Sequence, residues 1–229
     1  MKKRILLTTI VAVLLMAGPT WADSLSVTQA AALGGTYGLE ISHGGTNTGA
    51  FVVDDTPAGE QIYRFSFLIN PNGMVGDSSL TPILFRAKGD NPNPGGGRCP
   101  VNALAQVDSI AIRAKFLQQG YSLQLRINDN FCGARGTADV PISPNTPSKV
   151  CCEVQHAAAG QGVIAIAIVD VGNACPPTGD PSYVTVANSN SSVMEVNRIS
   201  LGIHETHPAS RHVNPMYLDE FESFRTLAP

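Results

Sequence analysis

The stretch QIYRFSFLI, residues Gln61–Ile69, determines the expected class of fold. Its large apolar side chains recur at every second position, with polar side chains between them: Tyr63, Phe65, Phe67 and Ile69 alternate with Arg64 and Ser66. A period of two places successive side chains on opposite faces of a β-strand. The pattern therefore predicts a strand of an antiparallel sheet that buries one face and exposes the other.

The same alternation recurs along the chain, clearly in Val107–Leu117 and in Tyr121–Ile127. GVIAIAIVD, residues Gly162–Asp170, is apolar on both faces, as expected for a covered central strand. Further strands are expected at Thr36–Ile41, Ala50–Val53, Leu80–Lys88, Ser148–His156, Tyr183–Ala187, Val193–Leu201 and Met216–Arg225. No long helical period follows Ala22, so we predict an all-β domain of two packed antiparallel sheets.

The N-terminal segment has the features of an export signal. Basic residues at positions 2–4 precede the apolar run Ile5–Ala17. A membrane-spanning helix needs about 20 residues, and this run is shorter. Thr20 and Ala22 place small side chains where signal peptidase recognises them. We therefore expect a signal peptide at 1–22, cleaved after Ala22, then a single domain at 23–229 in a secreted or periplasmic protein.

The charge balance argues against two classes of partner. The whole chain has a net charge of −3. Loss of Lys2, Lys3 and Arg4 would leave 12 Lys and Arg against 18 Asp and Glu, a net charge of −6. An acidic domain without a basic run is a poor binder of nucleic acid or anionic lipid. We expect no membrane span after cleavage, and the single tryptophan, Trp21, would leave with the signal peptide.

Four stretches carry a resemblance to known proteins: SLSVTQAAALGGTYGLEIS, DDTPAGEQIYRFSFLINPNGM, ILFRAK, and NRISLGI with YLDEFESFR. They resemble a loose group of uncharacterised secreted bacterial proteins whose domain is similar to the concanavalin A-like, laminin-G-like jelly roll. The resemblance implies a two-sheet jelly-roll β-sandwich and carries over no catalytic residues. Lectins, glucanases and inert modules share this fold, so the fold alone does not specify an activity.

The connections between the predicted strands are unequal in length. Strands of an antiparallel sandwich alternate in direction, so their connections alternate between the two ends of the domain. Counted from Leu80–Lys88, the long connections all fall at one end: Gly89–Gln106, Asp129–Pro147, Val171–Ser182 and Gly202–Pro215. Long loops on a rigid scaffold often form binding sites. We therefore expect the interaction surface at this long-loop rim.

Five cysteines follow the expected cleavage site, and all are disulfide candidates in an oxidising compartment: Cys99, Cys132, Cys151, Cys152 and Cys175. The strand directions would gather them at the long-loop rim. We expect a Cys99–Cys132 bond and a bond from Cys175 to either Cys151 or Cys152. The remaining thiol is a candidate for an intermolecular link. A zinc site is the alternative, although the chain has no CxxC pair.

Histidines and carboxylates near the C-terminus are candidate metal ligands. His204, His207 and His212 lie in the last long connection, where they could bind Zn²⁺ or Cu²⁺ or simply be solvated. In the final strand, alternation places Asp219 on the inward face, with Glu220 and Glu222 on the other. A buried carboxylate needs partners, for which backbone amides or a hydroxyl are expected. A structural Ca²⁺ is the alternative, and no other cofactor is expected.

Two hydrolase motifs are disfavoured. DEFE, residues Asp219–Glu222, lacks the ExDxxE spacing of the glucanases of this fold. Gly76–Leu80 resembles the GDS block of one esterase family, but it lies in a turn and no C-terminal DxxH motif accompanies it. No residue is therefore assigned a catalytic role.

These observations favour a secreted, non-catalytic β-sandwich module that binds a glycan or another surface protein through its long-loop rim. A disulfide-linked component of an envelope or matrix is one alternative, and a secreted hydrolase is another. Carbohydrate platforms rely on aromatic faces, tryptophan above all. A domain without tryptophan has to use Tyr or Phe for this purpose.

Overall fold

The computed structural model describes residues 24–42, 49–74, 82–117, 120–187, 190–204 and 214–226. The expected signal peptide at 1–22 lies outside these residues. Within the described ranges, no helix is long and apolar enough to cross a membrane. The chain forms the strands β1 (Ser24–Thr28), β2 (Gly38–Ser42), β3 (Ala50–Asp54), β4 (Ile62–Asn70), β5 (Ile83–Gly89), β6 (Val107–Leu117), β7 (Gly120–Asn128), β8 (Ala134–Pro141), β9 (Ser148–Gln155), β10 (Ile164–Asp170), β11 (Val184–Thr185), β12 (Arg198–His204) and β13 (Met216–Phe224).

The strands form two sheets. The seven-stranded sheet has the order β1-β2-β13-β4-β9-β10-β11, and the six-stranded sheet has the order β3-β12-β5-β6-β7-β8. All of the pairings are antiparallel. This confirms the predicted fold class, an all-β jelly-roll β-sandwich.

The core between the sheets is apolar and partly aromatic. Phe65 on β4 stacks on Phe85 on β5, with ring centroids 4.0 Å apart, so the contact joins one sheet to the other. Phe221 on β13 lies next to both rings, at centroid distances of 6.4 and 6.2 Å. Stacked aromatic pairs contribute beyond their buried area. Alternation around these residues fixes which side chains of each strand face outward.

One strand lies in a stretch that the sequence predicted to be a loop. β8 falls inside the connection expected at Asp129–Pro147 and pairs with β7 at the edge of the six-stranded sheet. Only Ala138 and Val140 on β8 join the core, and Gly136 and Pro141 are unusual in strands. An edge position accommodates such a sequence, because one side of an edge strand needs no ladder partner.

Because β8 adds one reversal of chain direction, every later connection lies at the end of the sandwich opposite to the predicted one. The prediction of a single long-loop rim is therefore wrong. At one end, the amide of Arg98 donates to the carbonyl of Phe131 at 2.9 Å. At the other end, the amide of Gly73 donates to the carbonyl of Pro144 at 2.8 Å. We name these the Cys99 end (residues 90–106 and 129–133) and the Pro144 end (residues 71–74, 142–147 and 171–183).

Other strand boundaries also differ from the prediction. The short strand β1 was not predicted and pairs with β2. The strand expected at Tyr183–Ala187 is reduced to the two residues of β11. The strand expected at Val193–Leu201 begins only at Arg198, because Val196 makes an isolated bridge to Glu60 instead. β12 also extends beyond the predicted end at Leu201. His204 is its last residue and does not lie in the last connection.

His156, directly after β9, is a buried histidine. It continues the inward alternation of Cys152 and Val154 and is only 4% exposed. Neither of its ring nitrogens has a hydrogen-bond partner among the described residues. Burial lowers the pKa of His156 from its ordinary 6.5 to about 4. The folded protein therefore holds a neutral imidazole at neutral pH.

We expect His156 to make stability depend on pH. Between pH 6.5 and about 4 the unfolded imidazole binds a proton that the folded one does not. Its stabilising contribution is present above pH 6.5 and is lost as the pH falls, by about 3 kcal/mol over the interval. In His156→Leu, urea denaturation should give a free energy of unfolding that changes less with pH. An unchanged pH slope in a variant with wild-type circular dichroism would contradict this role.

Candidate functional site

The structure contains two disulfides, Cys99–Cys132 and Cys151–Cys175, with sulfur–sulfur distances of 2.02 and 2.03 Å. In β9, Cys151 faces outward and Cys152 faces the core, which determines which of them meets Cys175. The expectation that all five cysteines gather at one rim is wrong. The first bond joins two loops of the Cys99 end, and the second fixes the 171–183 loop to the seven-stranded sheet.

Cys152 is the free cysteine and is fully buried. Burial, with a smaller effect from the negative charge of Glu153, raises the pKa of the Cys152 thiol well above its ordinary value. A buried, protonated thiol is a poor nucleophile. The position of Cys152 therefore gives no support to an intermolecular disulfide.

His204 is the one member of the predicted histidine group that lies within the described residues. Its ring stacks on Phe51 of β3, with centroids 4.2 Å apart, and the residue is 3% exposed. His207, His212 and the GDS block at Gly76–Leu80 lie outside the described residues. Within the described ranges, no group of three or more His, Cys, Asp or Glu is placed to hold a metal ion.

Asp219 lies at a bulge in β13. Between Asp219 and Glu222 the strand has one residue more than its partner β4, and Glu220 adopts a φ of 45°. Leu218 faces the core, so Asp219 faces outward. The prediction that Asp219 faces inward is wrong, because the extra residue allows Phe221 to return to the core from a shifted position.

Backbone amides are the partners of the Asp219 carboxylate, as expected from the sequence. It accepts hydrogen bonds from the amides of Leu33 at 2.9 Å, Gly34 at 3.1 Å and Glu220 at 2.8 Å. Burial raises the pKa of Asp219, but the hydrogen bonds from these amides outweigh that effect, so the pKa is lowered. The carboxylate thus ties the β1–β2 turn to the bulge. The Ca²⁺ alternative stays a prediction.

The outer face of the six-stranded sheet is cationic. Its central strands direct apolar side chains into the core, so alternation directs their polar side chains outward. The outward cations are Arg86 and Lys88 on β5, Arg113 and Lys115 on β6, Arg126 on β7 and Arg198 on β12. Six of the 15 Lys and Arg residues of a net-negative chain therefore lie on one face.

Strand register aligns part of this face into one row across the sheet. The row consists of Val53, Ser200, Arg86, Ala111, Arg126 and Thr137, one from each strand. Two pockets of about 190 and 120 Å³ lie along it, and Arg86 lines both. The larger pocket is also lined by Phe51 and Lys88, and the smaller by Arg113 and Asn128.

Carboxylates balance only part of this charge. The outward cations take part in ion pairs that include Arg86 with Asp108 at 3.4 Å, Lys115 with Asp139 at 2.8 Å, and Arg198 with Asp55 at 3.1 Å. The side chain of Arg86 is 11% exposed, so its guanidinium is held in place beside Asp108 between the two pockets. Six cations against three paired carboxylates leave this described face with a net positive charge.

Aromatic side chains are scarce on the cationic face. The five tyrosines of the chain all lie elsewhere, in the core, on the seven-stranded sheet or in the β1–β2 turn: Tyr37, Tyr63, Tyr121, Tyr183 and Tyr217. Among the described residues, the rings that line the pockets are those of Phe51 and His204, which stack on each other. The face is therefore suited to hold anionic groups, since guanidinium forks match the geometry of carboxylates.

The sequence alone predicts only part of this cationic face. Alternation within predicted strands puts Arg113 and Arg126 on polar faces, but it does not show which residues of different strands are neighbours. Ser200, for example, meets Arg86 across a separation of 114 residues. Such pairing depends on the register of the whole sheet.

No protein-family model matches the chain, and no curated protein sequence matches it. Among solved structures, it is similar to an endo-β-1,4-glucuronan lyase from the fungus Trichoderma reesei, with a TM-score of 0.61 and 14% identity over 90% of this chain and 88% of that one. It is also similar to a PL-14 alginate lyase from Aplysia kurodai, with a TM-score of 0.48 and 13% identity over 96% and 94% of the two chains. At 14% identity the likeness to the glucuronan lyase shows the fold alone.

The buried position of Cys152 predicts that its thiol is inert in the folded protein. An aromatic disulfide reagent should label no thiol in the native, unreduced chain and a single thiol after unfolding in denaturant. Cys152→Ala, which has no free thiol in either state, is the matched control. Rapid labelling of the native protein, or a disulfide-linked dimer that is absent in Cys152→Ala, would contradict the buried position.

The role of Asp219 is testable by stability. Asp219→Ala leaves the amides of the β1–β2 turn without their acceptor, so we expect the free energy of unfolding to fall by about 1–2 kcal/mol. Glu222→Ala, which removes an exposed carboxylate of the same strand, should change it by less than about 0.5 kcal/mol. Chemical denaturation of both variants measures the difference. Equal effects of the two substitutions would show that the Asp219 hydrogen bonds do not hold the bulge.

Proposed function

We propose that the protein binds an acidic polysaccharide on the outer face of its six-stranded sheet. The observation that supports this most directly is the concentration of five cations along two adjoining pockets: Arg86, Lys88, Arg113, Arg126 and Arg198. A binding face on the sheet replaces the long-loop rim of the sequence-based hypothesis.

The chemistry of the pockets favours an acidic over a neutral glycan. Neutral sugars bind largely by stacking on aromatic rings, and the described residues offer here the ring of Phe51, which is stacked on the buried His204 imidazole. Carboxylates are bound by guanidinium groups through paired, charge-assisted hydrogen bonds. The similar lyase from Trichoderma reesei is named for glucuronan, a polymer of a uronic acid, which agrees with a ligand of this class.

We propose binding without catalysis. Acid–base catalysis needs a titratable side chain that reaches the substrate. The His204 imidazole lines the larger pocket, but it stacks on Phe51 and the residue is only 3% exposed. The carboxylates of Asp108 and Asp139 are engaged with Arg86 and Lys115. No tyrosine lies on this face. These features support a binding module over a lyase or hydrolase.

The proposed site of action is outside the cytoplasm. Two disulfides suit an oxidising compartment, in agreement with export and cleavage after Ala22. A disulfide-linked matrix component is not favoured, because the free thiol of Cys152 is buried.

Charge-matched double variants test the binding face. Arg126→Gln with Arg198→Gln removes two cations from the pockets, while Arg98→Gln with Lys149→Gln removes two from elsewhere on the surface. Calorimetric titration with polyglucuronate should show binding that weakens roughly tenfold or more in the first variant, because charge-assisted hydrogen bonds are lost. Binding should be unchanged in the second, and neutral dextran should not bind to either.

The dependence of polyglucuronate binding on salt concentration is an independent test of the cationic face. Exposed charges are screened over about 8 Å at physiological ionic strength and over about 3 Å at 1 M, so binding should weaken steeply as salt is added. Equal losses in the two double variants, or binding of dextran as tight as that of polyglucuronate, would refute the cationic face as the binding site.

A further inference from the structure

A third pocket, of about 210 Å³, lies on the outer face of the seven-stranded sheet, away from the cationic face. Strands β4 and β9 form its floor through Arg64, Ser66 and Lys149, which alternation directs outward. Strand β13 forms one wall through Glu222 and Phe224. The pocket therefore combines two cations, one carboxylate, a hydroxyl and an aromatic ring.

The shape of this pocket is fixed by strand pairing and by a disulfide. Ser66 pairs with Glu222 on one side and with Cys151 on the other, so these residues form a row across β13, β4 and β9. Cys151 is bonded to Cys175, which lines the pocket from the 171–183 loop. One wall is thus a paired strand, and the other is a loop that is covalently attached to the floor.

The guanidinium of Arg64 is positioned by an aromatic ring. Arg64 pairs with Phe224 across the ladder of β4 and β13. Its guanidinium lies over the Phe224 ring, 4.4 Å from the centroid, which is a cation–π contact. The charge is therefore directed toward β13, the strand that also carries Glu222. The ring of Phe224 is 43% exposed, so apolar surface remains beside these charges.

The three charged side chains of this pocket do not neutralise one another. Within the described ranges, none of Arg64, Lys149 and Glu222 forms an ion pair or a side-chain hydrogen bond. A ligand with a single sign of charge is repelled by part of this lining. A ligand with both signs is attracted by all of it, because a carboxylate can accept from two cations and an ammonium group donates to a carboxylate.

We infer that this pocket is a second binding site, for a small ligand that carries a carboxylate, an ammonium group and an apolar group, as an apolar α-amino acid does. Arg64 and Lys149 bind the carboxylate, Glu222 binds the ammonium group, and the exposed part of Phe224 contacts the apolar side chain. The Ser66 hydroxyl offers a further hydrogen bond. This inference goes beyond the proposed function, since it concerns the other sheet and another class of ligand.

L-Phenylalanine and two of its derivatives test the inference on the unmodified protein. L-Phenylalaninamide lacks the carboxylate, and N-acetyl-L-phenylalanine lacks the ammonium group. At about pH 6 carboxylates are ionised and α-amino groups are protonated. We expect each derivative to bind roughly tenfold more weakly than L-phenylalanine in NMR or calorimetric titration, because each loses one set of charge-assisted hydrogen bonds.

Variants of the pocket should change selectivity in opposite ways. In Glu222→Gln, N-acetyl-L-phenylalanine should bind as well as L-phenylalanine, while the preference for the carboxylate over the amide stays. In Arg64→Gln with Lys149→Gln, the preference for the carboxylate should disappear, while the preference for the free ammonium group stays. Arg126→Gln with Arg198→Gln, on the other sheet, is the matched control and should keep both preferences.

The ligand series on the unmodified protein decides the inference even if a variant folds poorly. Equal binding of L-phenylalanine and both derivatives would overturn it, and so would a lack of L-phenylalanine binding. Unchanged selectivity in well-folded Glu222→Gln would overturn the assignment of the ammonium group to this carboxylate. Polyglucuronate binding that depends on Arg126 and Arg198 is measured separately, so either proposal can fail while the other stands.

Discussion

The stack of Phe65 on Phe85 joins the two sheets, and the positions of most outward side chains depend on it. Phe85 and Arg86 are consecutive residues of β5, so a strand that buries the first must expose the second. A slip of β5 by one residue would bring a guanidinium into an apolar core, at a cost of several kcal/mol. The packing of the interior therefore also fixes the cations on the surface.

The two sheets use their outer faces differently. On the seven-stranded sheet, the 171–183 loop packs Tyr183 against Cys151, Ala165 and Ala167, forming a small second core. The disulfide from Cys175 holds this loop in place. The six-stranded sheet instead carries the two pockets and the arginine row. The 171–183 loop thus covers part of one outer face, and the cations gather on the other.

The sequence predicted those strands in which apolar and polar side chains alternate clearly within the strand itself. Gln61–Ile69 and Val107–Leu117 alternate because each buries one face, and both are strands. β8 could not be recognised in this way, since a small edge strand with Gly136 and Pro141 owes its structure to β7. Likewise, the outward position of Asp219 depends on one extra residue relative to β4. That mismatch exists only once the two strands are paired.

The candidate site was harder to predict than the fold for a related reason. Each arginine of the row stands on an ordinary polar face of its own strand, where a solvated cation is unremarkable. Arg86 and Arg126 come to lie in one row only through Ala111, which pairs with both. The long-loop rim that the sequence predicted was misplaced, because the missed strand β8 moves all later connections to the opposite end of the sandwich.

The vicinal cysteines of β9 link oxidation to the pairing of strands. Cys151 reaches Cys175 because Cys152, Val150 and Val154 point the other way, into the core. If β9 were displaced by one residue, Cys152 would face Cys175, but both valines would turn outward with it. The native bond can thus form only on the alignment that also buries the interior. The Cys151–Cys175 bond therefore indicates that β9 has paired in its native register.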